Sequence, residues 1–163
     1  MNENYTVSRY ILHRLQEIGI KHIFGVPGDY NLDFLDDVVV SPIQWVGNCN
    51  ELNAGYAADG YARLNGVGAA VVTYGVGGFS ILNAVAGAFA ECVPIIVISG
   101  APPGHRRESG AMVHHLISNY YLQLDIFNLL VYFHLARVKE LLFFYKALFG
   151  ALELNFFFFF LLF

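Results

Sequence analysis

Four side chains that can move protons follow short apolar runs of this sequence. His114 and His115 are adjacent, Asp29 lies in a Pro-Gly-Asp-Tyr-Asn turn, and Glu51 opens an Asn-Glu-Leu-Asn segment. Histidine gives and takes protons near neutral pH without a large pKa shift. Two adjacent imidazoles are also poor core material, because each ring needs its own hydrogen-bond partners. The pattern therefore indicates acid–base chemistry, for which positioned carboxylates and imidazoles are the usual groups.

Each of these residues also has an ordinary structural explanation. The histidine pair follows a Gly/Pro loop at 100–104 and could simply be solvated there. Asp29 could bond its own backbone in a turn. Glu51 could be a first-turn charge at a helix N-terminus, an interaction of about 0.3–1 kcal/mol. Taken one at a time, the residues leave both explanations open.

The sequence between these residues predicts the elements that position them. Helical periodicity and capping residues predict helices at about 7–18, 32–39, 50–64 and 80–90. Continuous apolar runs predict strands at 22–26, 43–47, 68–74 and 94–99. Strands without polar alternation, separated by helices, indicate an α/β fold whose parallel sheet is covered on both faces.

The topology predicts where the candidate groups meet. Asp29, Glu51, the glycine turn at 75–78 and the histidine pair each follow one of the four predicted strands. Ligands of open parallel sheets bind outside the carboxyl ends of the strands. We therefore expect these groups to gather at one edge of the sheet.

Composition excludes several other classes of function. The chain has 163 residues, 56% of them hydrophobic and 13% charged, with a formal net charge of -4. Basic residues do not cluster, so a nucleic-acid partner is not expected. The two cysteines, Cys49 and Cys92, are far apart and form no metal-binding pattern, which suits a reducing compartment. The N-terminus lacks the build of a signal peptide, and a cytoplasmic location is the default expectation.

The last part of the sequence departs from this α/β pattern. Residues 141–163 are nearly all apolar and include five consecutive phenylalanines at 156–160, but Lys146, Glu153 and Asn155 interrupt the run. Such interruptions argue against a transmembrane helix, and a helical tail, exposed or packed on the domain, is expected instead. We therefore expect one domain over 1–126 and an atypical Phe/Leu-rich tail over 127–163.

Several motifs occur together in a specific order. They are Tyr5-Thr6-Val7, Gly28-Asp29-Tyr30-Asn31-Leu32, Cys49-Asn50-Glu51-Leu52-Asn53, the Gly55–Arg63 segment, the Val71–Gly77 segment and His114-His115. In this order they resemble the N-terminal, pyrimidine-binding domain of thiamine-diphosphate-dependent 2-oxo-acid decarboxylases of the pyruvate and indolepyruvate decarboxylase type. The histidine pair with Gly-Asp-Tyr-Asn favours the decarboxylase branch over acetolactate synthases.

The resemblance implies a flavodoxin-like, doubly wound parallel sheet and thiamine diphosphate as the cofactor. It implies that Glu51 contacts the ring nitrogen of the cofactor's aminopyrimidine. It also places Asp29, His114 and His115 over the reacting carbon as proton donors and acceptors. The same resemblance assigns a cofactor-binding role to four further residues, which are Pro27, Thr73, Gly75 and Gly77.

One departure from the family pattern is serious. Such enzymes hold the diphosphate and Mg²⁺ with a Gly-Asp-Gly motif in another domain, and this sequence has no such motif. No metal ligand is therefore expected here, and the chain would carry half of a site that a partner subunit completes, in a homo-oligomer or beside a full-length relative. The implied reaction is conversion of a 2-oxo acid to an aldehyde and CO₂, with no activity from this chain alone. The alternatives are a non-catalytic fragment or interaction partner of a full-length decarboxylase, and a membrane-attached protein.

Overall fold

A computed structural model describes residues 6–117, 119–135 and 156–161 of the chain. The helices are α1 (Val7–Glu17), α2 (Leu32–Val40), α3 (Glu51–Asn65), α4 (Val76–Ala90), α5 (Gly104–Glu108) and α6 (Leu122–Leu135). The strands are β1 (His22–Gly25), β2 (Gln44–Gly47), β3 (Gly68–Val72), β4 (Ile95–Gly100) and β5 (Phe156–Leu161). The predicted helices and strands over the first hundred residues are all present, with ends shifted by a few residues.

The strands form a single sheet with the order β2-β1-β3-β4-β5. The first four are parallel, with Phe24 paired to Ala70 and Ala70 paired to Val97 across the centre of the sheet. The chain starts in the middle of the sheet, moves to one edge and then returns, which is the strand order of flavodoxin-like folds. The predicted α/β class with a doubly wound parallel sheet is confirmed.

Each face of the sheet is covered by its own set of helices. On one face, Val71, Ile96 and Ile98 pack against apolar side chains of α1 and α2. On the other, Ala70, Val72 and Val97 pack against α3, α4 and α6. Successive residues of a strand point to opposite faces, so residues on both sides of β3 and β4 are buried, and all of them except the hydrogen-bonded Ser99 are apolar.

The helix that carries Glu51, α3, has a polar capping residue at its start and a glycine at its end. The Asn50 side-chain oxygen accepts a hydrogen bond from the Asn53 N–H at 2.8 Å and so caps the N-terminus of α3. Gly66 follows the helix with φ of +91°, a backbone conformation that suits glycine. Together they place Glu51 in the first turn of α3, directly after β2 and its loop.

The structure differs from the expectation for the glycine turn at 75–78. The turn is completed at Gly75, whose φ is +67°, and α4 already begins at Val76. The Gly78 N–H donates to the Thr73 carbonyl at 3.2 Å, which closes the chain tightly after β3. Gly77 and Gly78 are therefore helical residues of α4 instead of members of a flexible turn.

The phenylalanine run also differs from the expectation. Residues 156–161 form β5, antiparallel to β4, with Phe158 paired to Ile98, whereas a helical tail was expected. Aromatic residues favour strands, and β4 would otherwise present an unpaired edge. Residues 136–155, 162 and 163 lie outside the described residues. Within the part of the chain that the structure describes, no helix combines the length and apolarity needed to cross a membrane.

Candidate active site at the carboxyl edge of the sheet

Glu51 lies at the sheet edge because the loop before it is tied to β1. The Asn48 side-chain oxygen accepts a hydrogen bond from the Gly25 N–H at 3.0 Å, and its amide donates to the Asn53 side chain at 3.2 Å. These bonds join the end of β1 to the first turn of α3. Glu51 is half-buried there, in the first turn of α3.

Glu51 and Thr73 both lie against Gly77, and Thr73 also lies against Gly28; we call these four residues the Glu51 pocket. A Cβ atom on Gly77 would lie 2.9 Å from Glu51 Oε1 and 3.0 Å from Thr73 Cγ2. A Cβ atom on Gly28 would lie 2.6 Å from Thr73 Cβ. Glycine at positions 28 and 77 therefore allows the backbone to approach the Thr73 side chain closely and, at Gly77, the Glu51 carboxyl group as well.

The Thr73 hydroxyl group is the clearest sign that this pocket takes a polar ligand. Its oxygen is buried and has no hydrogen-bond partner among the residues that the structure describes. Buried hydroxyl groups are nearly always satisfied, and an exception needs an explanation such as a missing ligand or water. A half-buried carboxyl group, an unpaired hydroxyl group and two glycines fit a flat, nitrogen-bearing ring such as an aminopyrimidine.

The turn that carries Asp29 is shaped by Asn31. The fully buried Asn31 side chain accepts a hydrogen bond from the Gly28 N–H at 2.9 Å and donates to the Val26 carbonyl at 3.1 Å. An Asn side chain that bonds its own turn in this way imposes a fixed backbone shape. Asp29 is consequently held at the tip of the turn with its carboxyl group about half exposed.

Asp29 and the two histidines form one cluster, although 85 residues separate Asp29 from His114. His114 Nδ1 lies 2.7 Å from Asp29 Oδ2, and His115 Nε2 lies 3.6 Å from Asp29 Oδ1. The two imidazole rings stack with centroids 3.7 Å apart and planes at 24°. His115 adopts φ of +63°, an uncommon backbone conformation for a residue other than glycine that is often associated with functional sites.

The cluster has ligand types that divalent metals use, but its geometry fits proton transfer better. The three donor groups lie within 4.8 Å of one another. However, His114 and Asp29 already share a short hydrogen bond, and nearly parallel rings do not direct both nitrogen lone pairs at one point between them. Because an ionised carboxylate only accepts hydrogen bonds, His114 Nδ1 carries the proton in this pair.

Tyrosines hold the loop that carries the histidine pair. The Tyr30 hydroxyl group donates to the His114 carbonyl at 3.2 Å, and the Tyr74 hydroxyl group donates to the Tyr120 carbonyl at 3.1 Å. Burial and the neighbouring Asp29 charge raise the pKa of Tyr30 above its ordinary value. The Tyr30 phenol therefore stays protonated and remains a hydrogen-bond donor to the loop.

Two opposing effects act on the Asp29 carboxyl group. Partial burial acts to raise its pKa, but the hydrogen bond with His114, a backbone hydrogen bond and the histidine charges together outweigh burial. The pKa of Asp29 is therefore below its ordinary value. Asp29 therefore remains an anion near neutral pH.

The depressed pKa of Asp29 predicts a specific pH dependence of stability. A carboxyl group whose pKa is lower in the folded state contributes stability above its unfolded pKa of roughly 3.9, and loses it as the pH falls through the folded pKa. We expect carbon-detected NMR to show Asp29 titrating below its ordinary pKa, and His114→Gln to raise that value. An unchanged Asp29 pKa in His114→Gln would contradict this account of the cluster.

The cap of α3 offers a second prediction, because it holds Glu51 in place. Asn50→Ala removes the acceptor for the Asn53 N–H and should reduce the free energy of unfolding by about 1 kcal/mol. Asn50→Asp keeps an acceptor at the same position and should leave stability close to that of the original chain. Urea unfolding of both variants measures the difference, and equal stabilities would show that the cap does not hold the helix end.

The structure places the sequence-predicted site residues in two adjoining groups. Glu51, Thr73 and Gly77 form the pocket, whereas Gly75 lies against the His115 carbonyl oxygen in the second group. Pro27 lies in the turn before Asp29, where it is exposed. Sequence reasoning missed the structural importance of two buried amides, Asn31 and Gln123. The Asn at the end of the Gly-Asp-Tyr-Asn turn was a recognisable signal for the first, whereas nothing in the local sequence marked the second.

Parallel topology, acid–base groups and a polar pocket at the carboxyl edge define a cofactor-binding α/β domain. Residues 5–126 match the family of the thiamine pyrophosphate enzyme N-terminal TPP binding domain, and the chain belongs to this family. Thiamine diphosphate is the cofactor of the family.

The relatives are named as decarboxylases. An alpha-keto-acid decarboxylase of Mycobacterium leprae is 56% identical over 116 residues, which cover 71% of this chain and 20% of the relative. A pyruvate decarboxylase of Aspergillus parasiticus is 53% identical over 117 residues, which cover 72% of this chain and 20% of the relative. The chain thus spans about a fifth of the length of the curated relatives it matches.

Proposed function

We propose that this chain is the pyrimidine-binding part of a thiamine-diphosphate-dependent 2-oxo-acid decarboxylase. The observation that carries the proposal is the cluster of Asp29, His114 and His115 at the same sheet edge as Glu51, in which Asp29 is hydrogen-bonded to His114 and lies 3.6 Å from His115 Nε2. An activating carboxylate and separate proton-transfer groups are both needed for this chemistry. The names of the relatives support a 2-oxo acid as the substrate class.

Glu51 would bind the aminopyrimidine ring through its carboxyl group. When bound, thiamine diphosphate supplies a nucleophilic carbon and an electron sink for the loss of CO₂. Glu51 would hold a proton against the ring nitrogen in the pocket, where partial exclusion of water strengthens the interaction. The Thr73 hydroxyl group would gain the hydrogen-bond partner that it lacks within the described residues.

Asp29 and the histidine pair would handle the protons of the substrate-derived groups. Asp29 orients the His114 ring through the 2.7 Å hydrogen bond. His115, which is less exposed than His114, would hold or release a proton deeper in the site. Positioned acids and bases of this kind contribute roughly 10²–10⁴-fold to rate.

The rest of the site is proposed to come from elsewhere in the complete enzyme. By resemblance, the diphosphate and Mg²⁺ belong to a second domain of a partner subunit, which makes the working enzyme a homo-oligomer or a pair with a full-length relative. The substrate would be pyruvate or a larger aryl or indole 2-oxo acid. The cysteines, Cys49 and Cys92, are both free and exposed, which is consistent with a cytoplasmic location.

A chimaera tests the proposal directly. Residues 5–126 would replace the matching segment of a pyruvate decarboxylase that is more than half identical to it over that range. We expect aldehyde to form from pyruvate or indolepyruvate in the presence of thiamine diphosphate and Mg²⁺, well above a no-enzyme blank. A chimaera that folds and binds the cofactor but releases neither aldehyde nor CO₂ would refute the proposed activity.

A further inference from the structure

Gln123 is a buried amide on α6 that none of the roles above uses. Only 1% of the surface of Gln123 is exposed. Its side-chain oxygen accepts a hydrogen bond from the Gly75 N–H at 2.7 Å, and its side-chain nitrogen donates to the Ser99 hydroxyl group at 2.9 Å. One side chain therefore ties the turn after β3 to the end of β4.

The side-chain oxygen of Gln123 binds Gly75, which lies next to both groups of the site. Gly75 follows Thr73 and Tyr74 directly and precedes α4, which carries Gly77 against Glu51. A Cβ atom on Gly75 would overlap the His115 carbonyl oxygen. The hydrogen bond from Gly75 to Gln123 thus fixes the backbone on which the histidine loop rests.

The nitrogen end of the amide extends toward the turn that carries Asp29. The Ser99 hydroxyl group donates onward to the Gly100 carbonyl at 3.1 Å. Gly100 lies against the carbonyl oxygen of Tyr30, where a Cβ atom would not fit. Tyr30 is the neighbour of Asp29 and also bonds the His114 carbonyl, so the connection reaches both sides of the acid–base cluster.

We propose that Gln123 is a positioning residue that holds the glycine turn in register with the histidine pair. The idea rests on the proposed function for its significance, but its contacts belong to this chain alone. Leaving a buried N–H without an acceptor costs free energy. If the Gln123 amide is lost, the Gly75 turn therefore moves or a water molecule enters to bind the N–H. Movement of Gly75 then displaces His115, because the two are in direct contact.

The packing of the amide provides an independent way to disturb it. A Cβ atom on Gly78 would overlap the side-chain amide of Gln123. Gly78→Ala should therefore push the amide away from the Gly75 N–H without altering either hydrogen-bonding residue. Gln123→Met removes both hydrogen bonds and replaces the amide with an apolar side chain that is also unbranched and of similar length.

Amide exchange and histidine NMR signals of the full chain, with no cofactor or substrate, test the proposal. In Gln123→Met we expect the Gly75 N–H to exchange about tenfold faster or more, and the His115 ring resonances to shift. The His13 ring, on α1, serves as the internal control. Gln44→Met, the same change at an exposed position of β2, should alter neither signal.

The conservative variant separates positioning from simple core packing. Gln123→Glu keeps an acceptor for the Gly75 N–H, and the Ser99 hydroxyl group can turn to donate to it, so Gly75 protection should return. If Gln123→Met does not fold, Gly78→Ala is expected to give the same two changes and decides the question. Unchanged His115 resonances in whichever of Gln123→Met and Gly78→Ala folds would overturn the proposal, whatever the activity of the chimaera.

Discussion

Gly75→Ala is expected to lower the free energy of unfolding by roughly 2–5 kcal/mol, the sum of left-handed backbone strain and a steric overlap that the backbone must relieve. Gly75 has φ of +67°, and the atom that a Cβ would overlap is the backbone carbonyl oxygen of His115. A side chain could turn away from such a contact, whereas a carbonyl oxygen moves only with its loop. The variant should therefore also disturb the histidine pair.

Gly66→Ala is the matched control for this prediction. Gly66 has φ of +91°, but nothing lies within 4 Å of the position of its Cβ atom. Its replacement should cost only the conformational strain, about 1–2 kcal/mol. Thermal or urea unfolding of both variants gives the comparison. Equal losses at the two positions would mean that the contact between Gly75 and His115 contributes nothing to the fold.

The sheet and its covering helices were predictable because burial on both faces leaves a simple pattern. Residues 68–72 and 95–100 contain no charged side chain, and all of them are buried. A strand that packs against helices on both sides is apolar at nearly every position, and such a run stands out in the sequence. Strand order then follows from the handedness and shortness of the connections.

The sequence predicted that the candidate groups lie at the same edge of the sheet, but not which of their side chains are in contact. Parallel strands bring their carboxyl ends to one edge, which places Asp29, Glu51 and the histidine pair there. The hydrogen bond between Asp29 and His114, the ring stacking and the positive φ of His115 depend on a loop held by Tyr30 and Tyr74. No local sequence rule describes bonds between such distant segments.

Gln123 and β5 show the two ways in which sequence reasoning fell short. Gln123 is a polar residue in a helix, which ordinarily indicates a solvated position. Its burial follows from partners in the turn after β3 and at the end of β4. The phenylalanine run has no periodicity, so its sequence alone did not separate a strand from an apolar helix. In both cases the tertiary partner, and not the local preference, decided the outcome.

Glu51→Gln should have the largest effect on activity of any single substitution in this segment. Within the proposed chimaera we expect aldehyde formation to fall by at least about 10²-fold. Glutamine has almost the same size as glutamate, so the pocket with Thr73 and Gly77 is preserved, but it carries no charge and no exchangeable carboxyl proton. Cofactor activation should therefore fail before substrate binds.

Hydrogen–deuterium exchange at C2 of the bound cofactor locates the failure. NMR should show this exchange slowed in Glu51→Gln by a factor similar to the loss of activity. His115→Gln should leave C2 exchange nearly unchanged while lowering aldehyde formation, because His115 would act on later, substrate-derived groups. Glu91→Gln, at an exposed glutamate paired with Arg63, is the control for the substitution itself. Normal C2 exchange in Glu51→Gln would show that another group activates the cofactor, since the amide retains the shape of the carboxyl group but not its charge.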